Sequence, residues 1–228
     1  MRALLLPIKN LRNAKKRLIG VLTPEERFGL AQAMLADTIR AVQGVRRADK
    51  IFVVTNYEPA MRIAEENGWE ILREDHQISE SDSVDAASRL CELRGVTGLL
   101  RVPLDVPLVK AVDIDDLLSI ECQAPALVIV PSRDGMGTNA ILRMPPALFP
   151  SHFGTGSFVK HVGEAERIGA RVIFRRNVRL EMDVDDEADL RMLLKNDLSG
   201  TETGRWLGES GVETRFRAHF KAGAMGAR

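Results

Sequence analysis

The chain has 228 residues, of which 45% are hydrophobic and 28% charged, the profile of a globular domain long enough to bury a substantial core. Lysine plus arginine balances aspartate plus glutamate at 32 each, so no global field draws nucleic acid or an anionic membrane, and phosphate must be held by a local cluster. No apolar stretch approaches the roughly 20 residues of a membrane span. The two cysteines, Cys91 and Cys122, lack CxxC spacing and read as reduced thiols of a cytoplasmic protein.

In chain order, short apolar runs alternate with longer helical periods, which predicts an α/β fold around a mostly parallel sheet. Strands are expected over residues 3–8, 51–55, 99–102, 126–130 and 171–174, with a weaker candidate at 139–143. Their nearly continuous hydrophobicity suits strands covered by helices on both faces. The clearest helix begins after Thr23, where Thr-Pro-Glu-Glu supplies an N-cap, a first-turn proline and a capping-box glutamate at Glu26. Ala31, Met34, Leu35, Thr38, Ile39 and Val42 then form one apolar face, and Gly44 ends it. Further helices are expected at 59–67, 82–94, 113–120, 156–169 and 186–195. Nothing divides residues 1–197, which read as a single domain. Residues 198–228 are glycine-rich, carry Trp206, Phe216 and Phe220, and read as a loosely packed tail with one short helix.

Two acidic sites stand at expected strand ends. GLLRVPLDVPL closes an apolar run on Asp105 between Pro103 and Pro107, and LEMDVDDEADL presents Asp183 and Asp185 after a short extended segment, to which the strand at 171–174 leads. Mg²⁺ usually takes one or two carboxylates and leaves its other positions to water and phosphate oxygens. Asp105 and Asp183 are therefore the candidate metal ligands, whereas Asp186 and Glu187 suit a helix N-terminus. PIKNLRNAKKRL, directly after the first strand, places Lys9, Arg12, Lys15, Lys16 and Arg17 at the carboxyl ends of the sheet, where nucleotides bind in doubly wound folds. Lys9, Lys15 and Arg17 are the candidates for holding a triphosphate and its leaving group, and Arg12 and Lys16 read as solvated surface. The loop matches neither GxxxxGK[ST] nor GxGxxG.

Two glycine-punctuated loops follow. SRDGMGTNAI offers Thr138 and Asn139 beside Gly135 and Gly137, and FGTGSFVKH places Gly154 and Ser157 at a helix start suited to an anion. His161 reads as a helix-face histidine. Arg101, inside the central strand, requires a partner or an edge position.

Taken in order, PIKNLRNAKKRL, TPEERFGLAQAMLADT, VPLDVPLV, DGMGTNAI, FGTGSFVKH and DVDDEADL resemble the guanylyltransferases of coenzyme F(420) biosynthesis that act on phosphorylated three-carbon acids. The resemblance runs from about residue 1 to 194 and implies a Rossmann-like domain of the nucleotide-diphospho-sugar transferase type. It implies GTP and Mg²⁺ as nucleotide and cofactor, and phosphoenolpyruvate, 2-phospho-L-lactate or 3-phospho-D-glycerate as acceptor. It further implies pyrophosphate as product and a homodimer as assembly. On it, Asp105 and Asp183 match the metal aspartates, Thr138, Gly154 and Ser157 the acid-binding positions, and Lys9, Lys15 and Arg17 the basic loop. Departures are Val106 for leucine, Thr155 for proline, Met136 for a small polar residue, and Asp85 where asparagine is common, a position expected to contact the nucleotide. The alternatives are a molybdopterin-type or sugar-phosphate nucleotidyltransferase, whose GGxxxRM-like opening is missing, and a nucleotide-binding protein without turnover.

Overall fold

The computed structural model describes residues 1–76 and 78–225, with side chains to residue 218. Its strands are β1 (Arg2–Pro7), β2 (Lys50–Thr55), β3 (Glu70–Arg73), β4 (Gly98–Arg101), β5 (Ala126–Pro131), β6 (Thr138–Met144) and β7 (Arg171–Phe174). The helices are α1 (Pro24–Gln43), α2 (Glu58–Glu66), α3 (Glu80–Leu93), α4 (Ala111–Leu118), α5 (Ser157–Arg167), α6 (Glu187–Leu193), α7 (Glu202–Glu209) and α8 (Val212–Met225). Among the described residues the strands form one sheet in the order β3-β2-β1-β4-β6-β5-β7. β6 runs antiparallel to both its neighbours, β4 and β5, and the other pairings are parallel. This is the expected mixed, mostly parallel Rossmann-like sheet. No helix among the described residues is long and apolar enough to cross a membrane.

The sheet is buried on both faces because successive side chains of each strand point to opposite sides. From β1, Leu4 and Leu6 pack with Leu35, Ile39 and Val42 of α1 and with Ile114 of α4. Ala3 and Leu5 pack on the other face with Val84, Ala87 and Cys91 of α3. α1 starts on the anticipated capping box: the Thr23 hydroxyl accepts from the Glu26 N–H at 3.2 Å, and the Glu26 carboxylate accepts from the Thr23 N–H at 2.9 Å.

Residues 198–225 depart from the expected tail, because α7 and α8 pack onto the domain. Asp37, buried on α1, accepts from the Glu202 and Thr203 N–H groups at 2.7 and 2.9 Å and so pins the start of α7. Leu207, Val212 and Phe216 then fill a cluster with Leu18, Leu22, Leu30, Met34, Val184 and Leu190. That cluster underlies the loop ending at Leu18 and the acidic segment around Val184, so the two helices brace both. The Phe220 side chain and residues 226–228 lie outside the described residues.

Candidate active site

The basic loop is shaped by its own turns. The Asn10 side chain accepts from the Arg12 N–H at 3.0 Å and caps a short 3-10 turn, Leu11–Asn13. Lys15 follows at φ 55°, ψ 40°, the one non-glycine at positive φ among the described residues. An L-residue accepts this left-handed geometry only where its surroundings hold it there. Here they are two carboxylates: the Lys15 ammonium lies 2.7 Å from Asp105 Oδ2 and 3.1 Å from Asp185 Oδ1.

Those acids converge from distant sequence. Pro103 has no N–H to extend β4, and the chain leaves the sheet toward Asp105. The Val184 N–H donates to the Asp105 carbonyl at 3.1 Å, which sets the second acidic segment directly against the first. That segment is steered from behind by Asp113, buried on α4, which accepts from Asn177 Nδ2 at 2.8 Å and Arg179 Nε at 2.7 Å. Asn139 of β6 spans the same gap, its amide donating to the Leu180 carbonyl at 2.8 Å and to Asp183 at 3.0 Å.

The charges in this cluster are unequally satisfied. Burial opposes ionisation of both Lys15 and Asp105, yet their mutual attraction prevails, so Lys15 is held above the usual lysine range and Asp105 below the usual carboxylate range. Asp183 lacks such a partner. Burial, reinforced by the charges of Asp105 and Asp185 and opposed by the Asn139 hydrogen bond, pushes its carboxyl up to about 6. Three carboxylates face the Lys15 ammonium and the more exposed Arg17 guanidinium, which is 3.7 Å from Asp185, so positive charge is in deficit around Asp183.

Two clefts meet at this cluster. One, of about 480 Å³, is lined by Lys9 and Lys15 together with apolar Leu11, Ala31 and Met34. The other, of about 560 Å³, is lined by Arg17, Thr138, Asn139, Gly154, Ser157 and Asp183. Glu80, Arg101, Pro103 and Asp105 belong to both walls. The residues expected to hold nucleotide and acid thus divide between adjoining clefts, apart from Arg17, which stands with the acid-side group 3.7 Å from Asp185.

Asp85 is a correction. It lines neither cleft, and its carboxylate accepts from the Ser151 N–H at 3.0 Å and the Ser151 hydroxyl at 2.6 Å, with Arg143 at 3.4 Å. Arg143 is 2% exposed, and a buried guanidinium requires a counter-charge, so aspartate here serves the core rather than the nucleotide.

His161 lies on a face of α5, as expected, and that face is buried. It is fully buried, its Nε2 accepts from the His152 N–H at 2.8 Å, and its Nδ1 lies 3.0 Å from the Thr138 hydroxyl. Since Nε2 accepts, the proton sits on Nδ1 and donates to Thr138 Oγ1, which also receives the Ser157 hydroxyl at 3.3 Å. With both lone pairs engaged, the Thr138 hydroxyl proton is left for a ligand. Sequence reasoning missed this role, as it missed Asp185 as a partner of Lys15. DVDD was the available signal for Asp185, whereas nothing local marks a histidine whose partner lies on another strand.

A divalent cation fits here on the chemistry of the donors. Among the described residues no group of three or more His, Cys, Asp or Glu side chains encloses an ion. Mg²⁺ requires no such cage, being held by one or two carboxylates plus phosphates and water. The under-neutralised Asp183 beside Asp105 supplies that donor set.

Comparison with known proteins shows the family and the fold. The family model described as guanylyl transferase CofC like matches residues 1–223. A phosphoenolpyruvate guanylyltransferase of Rubrobacter xylanophilus is 34% identical over 187 residues, covering 82% of this chain and 90% of the relative. A 2-phospho-L-lactate guanylyltransferase of Methanothermobacter thermautotrophicus is 31% identical, covering 82% and 81%. Among solved structures, a protein of Desulfovibrio desulfuricans G20 named for the nucleotide-diphospho-sugar transferases superposes with a TM-score of 0.76 over 94% of this chain and 96% of that one. At 15% identity this last match speaks for the fold alone.

Proposed function

Because the chain belongs to the guanylyl transferase CofC like family, we propose that it transfers GMP from GTP to a phosphorylated three-carbon acid. Phosphoenolpyruvate and 2-phospho-L-lactate are the acceptors named for its relatives, and 3-phospho-D-glycerate shares their phosphate and carboxylate. The product belongs to coenzyme F(420) biosynthesis on this reading, and the assembly is a homodimer. The observation that carries the reading is the meeting of Lys15, Asp105, Asp183 and Asp185 where the two clefts share a wall.

In the reaction a phosphate oxygen of the acid attacks the α-phosphorus of GTP. The bond from that phosphorus to the β-bridging oxygen breaks, and its electron pair leaves with pyrophosphate. The attacking oxygen is already ionised at neutral pH, so no general base is required and catalysis is positioning plus charge neutralisation. Lys9 and Lys15 bind the triphosphate, and Lys15 is the better oriented because its backbone and both carboxylates fix it. Arg17 meets phosphate charge from the other cleft. Thr138, Asn139, Gly154 and Ser157 receive the acid, with the Thr138 proton directed by His161. Asp105 and Asp183 would hold Mg²⁺, which when bound screens the repulsion between two anions and polarises phosphoryl oxygens.

The test is pyrophosphate release with GTP, ATP, CTP and UTP against an equimolar mixture of the three acids, with mass spectrometry of the product. A guanosine diphosphate adduct of one acid is expected. Turnover only with sugar phosphates, or nucleotide binding without pyrophosphate release, would overturn the proposal.

A further inference from the structure

Arg101 sits in the middle of the sheet, on β4 between β1 and β6, with its side chain only 9% exposed. An arginine in a central strand requires its guanidinium to be matched on every edge. One nitrogen, Nη1, is matched by backbone, donating to the Asn139 carbonyl at 3.0 Å and the Thr138 carbonyl at 3.5 Å. The face of the group lies over the Phe153 ring, 4.5 Å from its centroid, directly before Gly154. The guanidinium is thereby fixed against both loops of the acid cleft.

Its remaining edge is only half used. Nε–H and Nη2–H form the parallel fork that receives a carboxylate bidentately. Glu80 contacts Nη2, while Nε is buried with no acceptor. Glu80 is 34% exposed, opens α3 and lines the same cleft, so this acid can leave without disturbing the core. The other arginines of the cleft are more exposed than Arg101: Arg17, which meets phosphate charge, lies 3.7 Å from Asp185, and Arg133 pairs with Asp189 at 3.1 Å.

We propose that Arg101 is the carboxylate anchor of the acid cleft, and that Glu80 holds the place of the substrate carboxylate and yields to it. This rests on the guanylyltransferase reading above and names what selects the acceptor. The acid's phosphate must lie toward the α-phosphorus of GTP, so its carboxylate needs a second anchor. A fixed planar fork with an orphaned donor suits a carboxylate better than water or a hydroxyl. An incoming carboxylate would satisfy both Nε and Nη2, whereas Glu80 satisfies one.

The experiment compares the acid turned over fastest with its counterpart carrying a methyl or hydroxymethyl group in place of the carboxylate. Isopropenyl phosphate pairs in this way with phosphoenolpyruvate, and glycerol 3-phosphate with 3-phospho-D-glycerate. In the unaltered chain, kcat/KM should favour the carboxylate by at least about 10²-fold, as expected where a site's buried polar groups would otherwise be left unpaired. Arg101→Met should raise KM for the acid by about 10²-fold and remove most of that preference. Arg101→Lys, which keeps the charge and loses the fork, should fall between. Glu80→Gln should lower KM for the acid several-fold, because the competing carboxylate has become neutral. If Arg101→Met does not fold, Arg101→Lys and Glu80→Gln carry the test. An unchanged preference in the arginine variants, or a raised KM in Glu80→Gln, would overturn this inference while leaving the guanylyltransferase reading intact. Failure of the unaltered chain to turn over any of the three acids would overturn that reading and this inference with it.

Discussion

Acidification should remove a definable amount of stability through His161. Burial, with the positive charges of Arg143, His152 and Arg101 adding and Glu164 alone opposing, lowers its pKa from 6.5 to about 3. The geometry gives the reason, since a protonated ring would carry N–H on Nε2, facing the His152 N–H it now accepts from at 2.8 Å. The unfolded chain binds this proton below about pH 6.5 and the folded chain does not, so stability is complete above 6.5 and falls as pH drops toward 3. Each pH unit inside that window costs about 1.4 kcal/mol, or about 2 kcal/mol between pH 6.5 and 5. That is a sizeable share of a typical 5–15 kcal/mol total. Urea unfolding of the parent and His161→Gln at pH 7.5, 6.5, 5.5 and 5.0 reads the effect as a difference of slopes. Asp183, whose carboxyl is pushed up to about 6, acts with the opposite sign below that pH, and it cancels because both proteins carry it. Depressed carboxylates such as Asp105 and Asp113 lose their contribution only below about pH 4, outside the range measured. Parallel stability curves for the two proteins would refute the reasoning.

Asp105→Asn should reduce GTP-dependent pyrophosphate release by at least about 10²-fold while circular dichroism stays native, because Lys15 keeps Asp185 as a partner; near-normal release would dismiss the metal assignment. Gly29→Ala should destabilise by about 1–3 kcal/mol in urea and shift Trp206 fluorescence, since a Cβ there would lie 2.8 Å from Trp206 Cε2. The helix-propensity gain of about 1 kcal/mol would appear instead if α7 were loosely docked. Thr23→Ala should cost about 1 kcal/mol by removing one half of the capping box, read from the urea midpoint.

The parts of the fold legible in sequence are those whose signal is local. β1, β2 and β5 are continuous apolar runs because helices cover both faces, and α1 announces itself through Thr23, Glu26 and Gly44. β3 was not expected because Glu-Ile-Leu-Arg at a sheet edge is short and mostly part-exposed, with its pairing supplied wholly by β2. β6 was faint because it spends polar and charged residues, Asn139 and Arg143, on the site and on the core. α7 runs against propensity, since its glycines weaken it as an isolated helix; Thr201 caps its start locally, accepting from the Gly204 N–H at 2.9 Å, and Asp37, 165 residues away from Glu202, pins it. A mid-helix aspartate on the buried face of α1 was the only trace of that contact.

The site divides along the same line. Lys15, Asp105 and Asp183 were readable because each belongs to a segment that follows a strand, β1, β4 and β7 in turn, on the side where an α/β sheet collects its chemistry; only Asp105 stands close to the strand end itself. What sequence could not supply is how those charges share one another. Asp185 takes part of Lys15, and this leaves Asp183 the carboxylate most in need of a cation. Asp85 failed for the converse reason: a buried Arg143 claims it, and nothing adjacent in the chain reveals that claim. Arg101, expected to need a partner or an edge position, lies in a central strand and has partners. Its Nη1 on the Thr138 and Asn139 carbonyls, and its fork edge turned to Glu80, make it the cation around which the acid cleft is arranged. An apolar strand residue there would leave the acid cleft without this fixed guanidinium. The apparent violation of strand chemistry is therefore where selection among small anions is to be sought.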